Sequence, residues 1–368
     1  MRSVLLAGPS GSDPAGRRAV YDAVRATLPG LDVVDLARSD RAARLLAAAR
    51  RSSGVVVAGT SLTPSSPASP AAMVTAARPP ARGSVGARSP RSVTTMAMLS
   101  GAAHRPLAVV GLSTGPLEGR LKRVLSTRVA RRPDLLLMGD EESARHLAAA
   151  GAPLPLRVAA DPAWAVLGPP PEPTGSGETV IVAVDGRLNS TLEEALAVGL
   201  EGLARSGQPI RLMPWAGSGT GDGAMSWRLA RRLRSTTSVP VEVEAVPASL
   251  QEVAERMSGA RLVVALRYRA IHAAAAAGVP AAGVAVEGRI AALAARLGQI
   301  VIQPAELARA LPPLAGSVQA PAAGPGQVAE ELARARAGLD LMRLVLEPSQ
   351  VRADELNCLP LVPVPWLS

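Results

Sequence analysis

The chain has 368 residues, 48% of them hydrophobic, and a formal net charge of +10. That length predicts two or three domains, and the apolar content supplies material for more than one core. Its one cysteine, Cys358, excludes an intrachain disulfide and any cysteine-based metal site.

The charge is nearly all arginine, because Lys122 is the sole lysine, and it is spread along the chain among 30 acids. With four Trp, two Tyr and no Phe, the chain lacks the aromatic platforms on which single-stranded nucleic acid stacks. Scattered arginine argues against a nucleic-acid partner and for a weak attraction to anionic substrates or to an anionic membrane surface. The apolar run Val4–Ala7 is too short for a signal peptide. The longest charge-free apolar run, 270–286, is broken by Gly278-Val279-Pro280, so no membrane span is expected and the protein reads as cytoplasmic.

In chain order, strand 4–7, helix 17–28, strand 31–36, helix 41–51 and strand 54–58 alternate as in a parallel, doubly wound sheet. Residues 60–90, rich in Pro, Ser and Arg, read as a long loop carrying Arg78, Arg82, Arg88 and Arg91. Helix 92–99, strand 107–111, helix 118–130, strand 135–138, helix 140–150 and strand 156–160 complete the first unit. The run Gly168 to Gly177, dense in Pro and Gly, reads as a linker. Strand 180–184 opens a second unit, and Ser190 with Glu193 predicts a capping box for helix 191–205. Strand 210–213, a glycine-rich stretch 217–223, helix 225–233 and strand 241–246 follow, and Ser249 with Glu252 caps another helix. Strand 262–266, an alanine-rich helix ending at Gly278, strand 281–286 and helix 289–297 come next. A long amphipathic helix, 327–346, precedes a Pro-rich tail. The expected fold is therefore α/β: Rossmann-like domains over 1–167 and 178–318, then 319–368 as terminal helix and tail. Ligands are expected in the cleft between the two domains, past the carboxyl ends of strands.

Residues at those strand ends are the candidates. Arg267-Tyr268-Arg269 stands where a strand meets a helix, where free N–H groups, the helix dipole and two guanidiniums suit a phosphate or carboxylate. His272 shares a helix face with Arg269; packing is its default role and acid–base work the alternative. Asp140-Glu141-Glu142-Ser143 opens a helix, so Asp140 reads first as an N-cap and second as a general base. Asp161-Pro162-Ala163-Trp164 is a turn or a site, and the glycines of 111–117, Gly115 among them, would admit a ligand to the backbone. The glycines at 217–223 read as a flexible loop before a phosphate cover. The chain has no Walker loop, no GxGxxG fingerprint and no zinc spacing, so neither cofactor nor metal is expected.

In order and spacing, five of these pieces resemble the polysaccharide pyruvyltransferase family. Gly115-Pro116-Leu117 is similar to its Gly-Pro-Leu, and Gly139-Asp140-Glu141-Glu142-Ser143 to its Arg-Asp-Glu-Glu-Ser. Ala160-Asp161-Pro162-Ala163-Trp164 is similar to its Asp-Pro-Ala-aromatic, Arg267 through Pro280 to its Arg-Leu-His helix ending Ala-Gly-Val-Pro, and Glu287-Gly288-Arg289 to its Asp-Pro-Lys.

The resemblance implies a transferase that moves the pyruvyl part of phosphoenolpyruvate onto a sugar of a cell-wall or surface polysaccharide precursor. Two sugar hydroxyls would end on one carbon as a cyclic ketal. On that reading Arg267, Arg269 and Arg289 hold substrate, with Gly115 beside them. Asp140, Glu141 or Asp161 is the base, and His272 a substitute acid. The chain departs from the family pattern at Arg269, where the family has His, and at Gly139, where it has Arg. The amino-terminal Asn-x-Gly-Asp is reduced to Asp13-Pro14-Ala15-Gly16-Arg17, and a Gly-rich strand end has become Ala58-Gly59-Thr60-Ser61. Two other readings stay open: a catalytically degenerate member that binds a ligand or partner, and a nucleotide-sugar glycosyltransferase on the same scaffold.

Overall fold

The computed structural model describes residues 3–7, 15–28, 32–33, 42–59, 61–62, 100–117, 119, 123–124, 127, 130–152, 156–168, 177–215, 221–315 and 322–346. The expected loop 60–90 lies outside them apart from residues 61 and 62; helix 92–99, most of the glycine stretch 217–223 and the Pro-rich tail also lie outside. The chain divides into two compact units: Met1–Gly11, Arg17–Ala165 and Ala333–Ser368 in the first, Ser12–Gly16 and Val166–Leu332 in the second.

The first unit carries a six-stranded sheet in the order β2-β1-β3-β4-β5-β6. Its strands are β1 (Val4–Ala7), β2 (Asp32–Val33), β3 (Gly54–Ala58), β4 (Leu107–Leu112), β5 (Leu135–Met138) and β6 (Arg157–Val158), every pairing parallel. Parallel sheets are covered on both faces, which is why these strands read as unbroken apolar runs; all of β1, β3 and β4 is buried. Helices α1 (Arg17–Thr27), α2 (Ala42–Arg51), α3 (Glu141–Ala149) and the short α4 (Trp164–Leu167) belong to this unit's sequence span or its edge. Residues 100–103 are helical and run through Gly101 rather than stopping at it; the turn comes at His104, whose φ is 53°.

The second unit's sheet has the order β12-β11-β10-β7-β8-β9, again wholly parallel. The strands are β7 (Val180–Val184), β8 (Ile210–Pro214), β9 (Val241–Val243), β10 (Leu262–Ala265), β11 (Ala281–Val284) and β12 (Ile300–Ile302). The chain winds outward from β7 to β9, then returns to the other side of β7 and winds outward from β10 to β12. The crevice between β7 and β10 is thus the topological switch point, where doubly wound sheets take their ligands. The connecting helices are α5 (Ser190–Arg205), α6 (Asp222–Thr236), α7 (Leu250–Met257), α8 (Tyr268–Ala276) and α9 (Gly288–Arg296), with a short α10 (Leu307–Ala310) packed on α5.

Local chemistry sets the helix starts. The cap of α5 is Asn189, whose side chain accepts from Leu192 N at 2.9 Å, so the helix begins at Ser190 and the expected Ser190 cap is corrected by one residue. At α7 the capping box forms: Ser249 Oγ accepts from Glu252 N at 3.1 Å, and the Glu252 carboxylate accepts from Ala248 N at 2.6 Å. The last helix, α11 (Pro325–Leu346), buries Val328, Leu332, Ala335, Leu339, Met342 and Leu346, one stripe at helical spacing. Its residues up to Leu332 group with the second unit and those from Ala333 with the first. Within the first unit it lies so close to the sheet that a Cβ on Gly338 would sit 2.8 Å from Ala159 Cβ.

Candidate functional site

The second unit gathers its charge at the switch point. Asp185 directly follows β7, and Arg267 follows β10 as the N-cap residue of α8. The Arg267 Nη2 donates to both oxygens of Asp222 at 2.6 Å and lies 3.3 Å from Asp185 Oδ1, while its Nε donates to Val184 O at 3.4 Å. Asp222 has no exposed surface, and it also accepts from Gly186 N at 2.8 Å and Trp215 N at 3.2 Å. One buried carboxylate therefore ties the loop after β7, the loop after β8 and the arginine after β10 to the start of α6. The fit leaves no room: a Cβ on Gly186 would meet Gly221 C at 2.3 Å and Asp222 N at 2.4 Å, and Gly221 itself takes a φ of 77°.

Arg187 extends the network. Its Nε donates to Asp185 Oδ1 at 2.8 Å, its Nη2 to Asp185 Oδ2, and Nη2 stands 3.5 Å from Glu287 Oε1. Glu287 accepts from Arg289 Nε at 2.6 Å, and the Arg289 guanidinium lies 4.7 Å from the Tyr268 ring centroid, a cation–π distance. Burial pushes the Asp185 carboxyl up, but hydrogen bonds from Arg187 and the charges of Arg267 and Arg187 outweigh it and hold the group below its ordinary 3.8. Burial draws the Arg187 guanidinium down, and the Asp185 bonds more than reverse this. Three guanidiniums (Arg187, Arg267, Arg289) face three carboxylates (Asp185, Asp222, Glu287), and the formal charges of these six side chains cancel.

The structure thus places Arg267, Arg269 (the second residue of α8) and Arg289 at one carboxyl edge, as half-buried rather than freely solvated side chains. His272 is completely buried, its ring edge-on to Tyr268 with centroids 4.7 Å apart and Nδ1 3.2 Å from Tyr268 O.

In the first unit three of the sequence motifs converge on Gly111. This residue sits at the register shift between β4 and β5 with a φ of 66°, and a Cβ there would lie 3.2 Å from Pro162 Cδ. A Cβ on Gly139 would lie 3.5 Å from Gly111 Cα, an ordinary contact. Asp140 is the N-cap of α3: Oδ1 accepts from Ser143 N at 2.7 Å and Oδ2 from Ser143 Oγ at 2.8 Å, and Ser143 Oγ accepts from Thr114 N at 3.0 Å. The acidic run is thereby wired to the loop that carries Gly115. Asp161 is buried too, and its Oδ1 accepts from Ala163 N at 2.9 Å, closing the turn into α4. Asp140 caps a helix, and Asp161 closes a turn ahead of one. Glu141 is the half-exposed member, 3.5 Å from Arg334 of α11. Gly115 is half-buried.

Asp185, Arg187 and Asp222 were not singled out from sequence. The strand-end rule that picks Arg267 also picks Asp185, which follows the apolar run Val180–Val184; Asp222 gave no such signal, since it stands in a stretch that reads as loop. Among the described residues no helix is long and apolar enough to cross a membrane.

Solved structures share the architecture. The Anabaena Alr3699/HepE structure in complex with UDP-glucose is 12% identical, covers 95% of this chain and 99% of its own, and superposes with a TM-score of 0.61. An S. aureus MnaA–UDP structure is 8% identical over 95% and 97% of the two chains, with a TM-score of 0.56. A Methanocaldococcus jannaschii UDP-GlcNAc 2-epimerase in complex with UDP-GlcNAc and UDP is 12% identical over 91% and 99%, with a TM-score of 0.51. These similarities show the fold, an α/β pair of Rossmann-like parallel sheets of GT-B-like type. No curated protein matches the chain in sequence. The model of the family described as polysaccharide pyruvyl transferase matches residues 83–288, a span that starts before β4, takes in four of the five motifs whole and ends within the fifth, just before Arg289. With more than half of its length matched, the chain belongs to the polysaccharide pyruvyl transferase family.

Proposed function

We propose that the protein transfers the pyruvyl portion of phosphoenolpyruvate to a sugar of a cell-wall or surface polysaccharide precursor. The observation that carries this reading is the family match over 83–288, because it includes both the acidic junction of α3 and the arginine junction of α8. In such a transfer a proton is added to the methylene carbon of the donor, and one sugar hydroxyl oxygen bonds to the adjacent carbon. Phosphate leaves with its bridging oxygen, and a second hydroxyl closes the ketal. Of the two hydroxyl protons, one balances the new methyl group and the other leaves with phosphate.

The donor carries a phosphate and a carboxylate, and planar guanidiniums bind both bidentately. We assign Arg267, Arg269 and Arg289 to it. Among the described residues no hydrogen bond engages Nη1 of Arg267, which leaves that nitrogen as the donor for an anion. Glu141, half-exposed where Asp140 is a buried cap and Asp161 a buried turn residue, is the carboxylate we assign to take the acceptor's proton. The test is calorimetric titration with phosphoenolpyruvate, with a uridine diphosphate sugar as the competing ligand. Binding by the wild type, lost in Arg267→Met and Arg269→Ala at unchanged folded content, is the expected result. Binding of the nucleotide sugar alone would overturn it.

A second reading has its own support: Arg269 and Gly139 stand where the family pattern has His and Arg. On that reading the protein binds a ligand without turning it over. The backbone permits a side chain at 139, since a Cβ there makes only ordinary contact. Ketal formation gained only in the Arg269→His, Gly139→Arg double variant would favour this second reading.

A further inference from the structure

Helix α6 has two unlike faces. Met225, Ser226, Leu229, Ala230 and Leu233 are buried against the sheet, while Trp227, Arg231 and Arg234 form an exposed stripe with spacings of four and three residues. Trp227 is 59% exposed, the most exposed large hydrophobic side chain among the described residues, whereas Trp164 and Trp215 are at 0% and 2%. The other two arginines of the helix are engaged: Arg228 with Glu193 at 2.7 Å, Arg232 with Glu201 at 2.7 Å and with Glu194. Arg231 and Arg234 have no ion pair with a described residue. Arg234 donates to Val241 O at 2.7 Å and lies 5.8 Å from the Trp227 ring centroid.

We infer that this face docks the protein on an anionic lipid surface. An indole with an apolar body and a polar N–H is suited to the headgroup layer. Arginine stems lie along such a surface while the guanidiniums reach phosphate, each adding about 1 kcal/mol of attraction. The chain's net charge of +10 adds a long-range pull of the same sign. A second copy of the chain is a poor occupant, because a two-fold contact through this stripe would gather Arg231 and Arg234 of both copies in one patch. The inference is independent of the pyruvyl-transfer reading, since no residue of the switch-point network lies on this stripe.

The test is co-sedimentation of the full chain with phosphatidylcholine vesicles with and without phosphatidylglycerol, for the wild type and a Trp227→Ala, Arg231→Glu double variant. Binding only to the anionic vesicles, weakened about tenfold or more in the variant and abolished by high salt, is expected. A blue shift of indole emission on binding, absent in Trp227→Ala, would support insertion of this residue. Equal sedimentation with neutral vesicles, or wild-type binding by a variant that keeps its thermal midpoint, would overturn the inference. So would loss in that variant of binding to a soluble anionic polysaccharide, or of self-association, with vesicle binding intact.

Discussion

Asp222→Ala should unfold the second unit well below the wild-type temperature. The carboxylate has no exposed surface and accepts from Gly186 N at 2.8 Å, Trp215 N at 3.2 Å and Arg267 Nη2 at 2.6 Å. Alanine leaves two backbone N–H groups without that acceptor, at about 1–3 kcal/mol each where they stay dry. It also leaves the Arg267 guanidinium with Asp185, at 3.3 Å, as its carboxylate partner among the described residues. Breaking one side of a buried ion pair costs about 3–5 kcal/mol. The two costs overlap, because water admitted to the gap relieves both, so the expected loss is about 3–5 kcal/mol in all. For a unit of this size each kcal/mol moves the midpoint by about 2–4 °C, giving a drop of roughly 6–20 °C. Asp222→Asn keeps one acceptor oxygen and should lose about half as much. Scanning calorimetry of the full chain reads both variants. A midpoint within about 2 °C of wild type for Asp222→Ala would refute the view that this residue joins the two sides of the switch point.

Asp185 makes stability depend on pH in one direction. Its folded-state pKa lies below the ordinary 3.8, so its contribution is present above that value and fades as pH falls through the depressed pKa. Asp185→Asn should be less stable than wild type at neutral pH, with the gap closing below pH 3.8 in thermal melts; a constant gap would contradict this. Gly186→Ala, whose Cβ would sit 2.3 Å from Gly221 C, should cost about 1–3 kcal/mol, while Gly223→Ala, with nothing within 4 Å and a helical backbone, should be neutral or stabilising by up to about 1 kcal/mol in urea unfolding. Asp140→Ala should lose about 1 kcal/mol with the cap of α3, and Asp140→Asn much less. If Asp140 only caps, the Asn variant keeps transfer activity; a thousandfold fall at full stability would make it the base instead, roughly the scale of lost general-base catalysis.

The scaffold was legible wherever burial was two-sided. Val180–Val184, Leu262–Ala265 and Gly54–Ala58 read as strands because a parallel sheet demands unbroken apolar runs, and Gly278-Val279-Pro280 marks the end of α8 as plainly as any stop signal. Strand β12 escaped, since three residues, Ile300–Ile302, are too few to carry a period. The cap of α5 fell on Asn189 because Asn and Ser compete for that role and spacing alone does not rank them. The sites divided differently. Residues that act with near neighbours were readable: Asp140 with Ser143, Asp161 with Ala163, Glu287 with Arg289. Asp222 was not, because it meets Arg267 across 45 residues and Gly186 across 36, and no local pattern encodes such a meeting.

The same network changes what an arginine-rich strand end means. Read along the sequence, Arg267 and Arg269 present bare positive charge at a helix start. In the folded unit the guanidiniums of Arg187, Arg267 and Arg289 are matched by Asp185, Asp222 and Glu287. On the proposed reading an approaching dianion meets little net field from these six side chains, and its recognition would depend on donor geometry and on exchanging one carboxylate for another at a guanidinium. Such a site discriminates by shape, since only an anion matching the fork repays the pair it displaces. The stripe of Trp227, Arg231 and Arg234 is its opposite. Its cations are unmatched by described carboxylates and its geometry is open, which suits a surface of many equivalent phosphates rather than one small acid. On the two proposals together, the chain's excess of arginine divides into paired charge, which would select, and unpaired charge, which would attract.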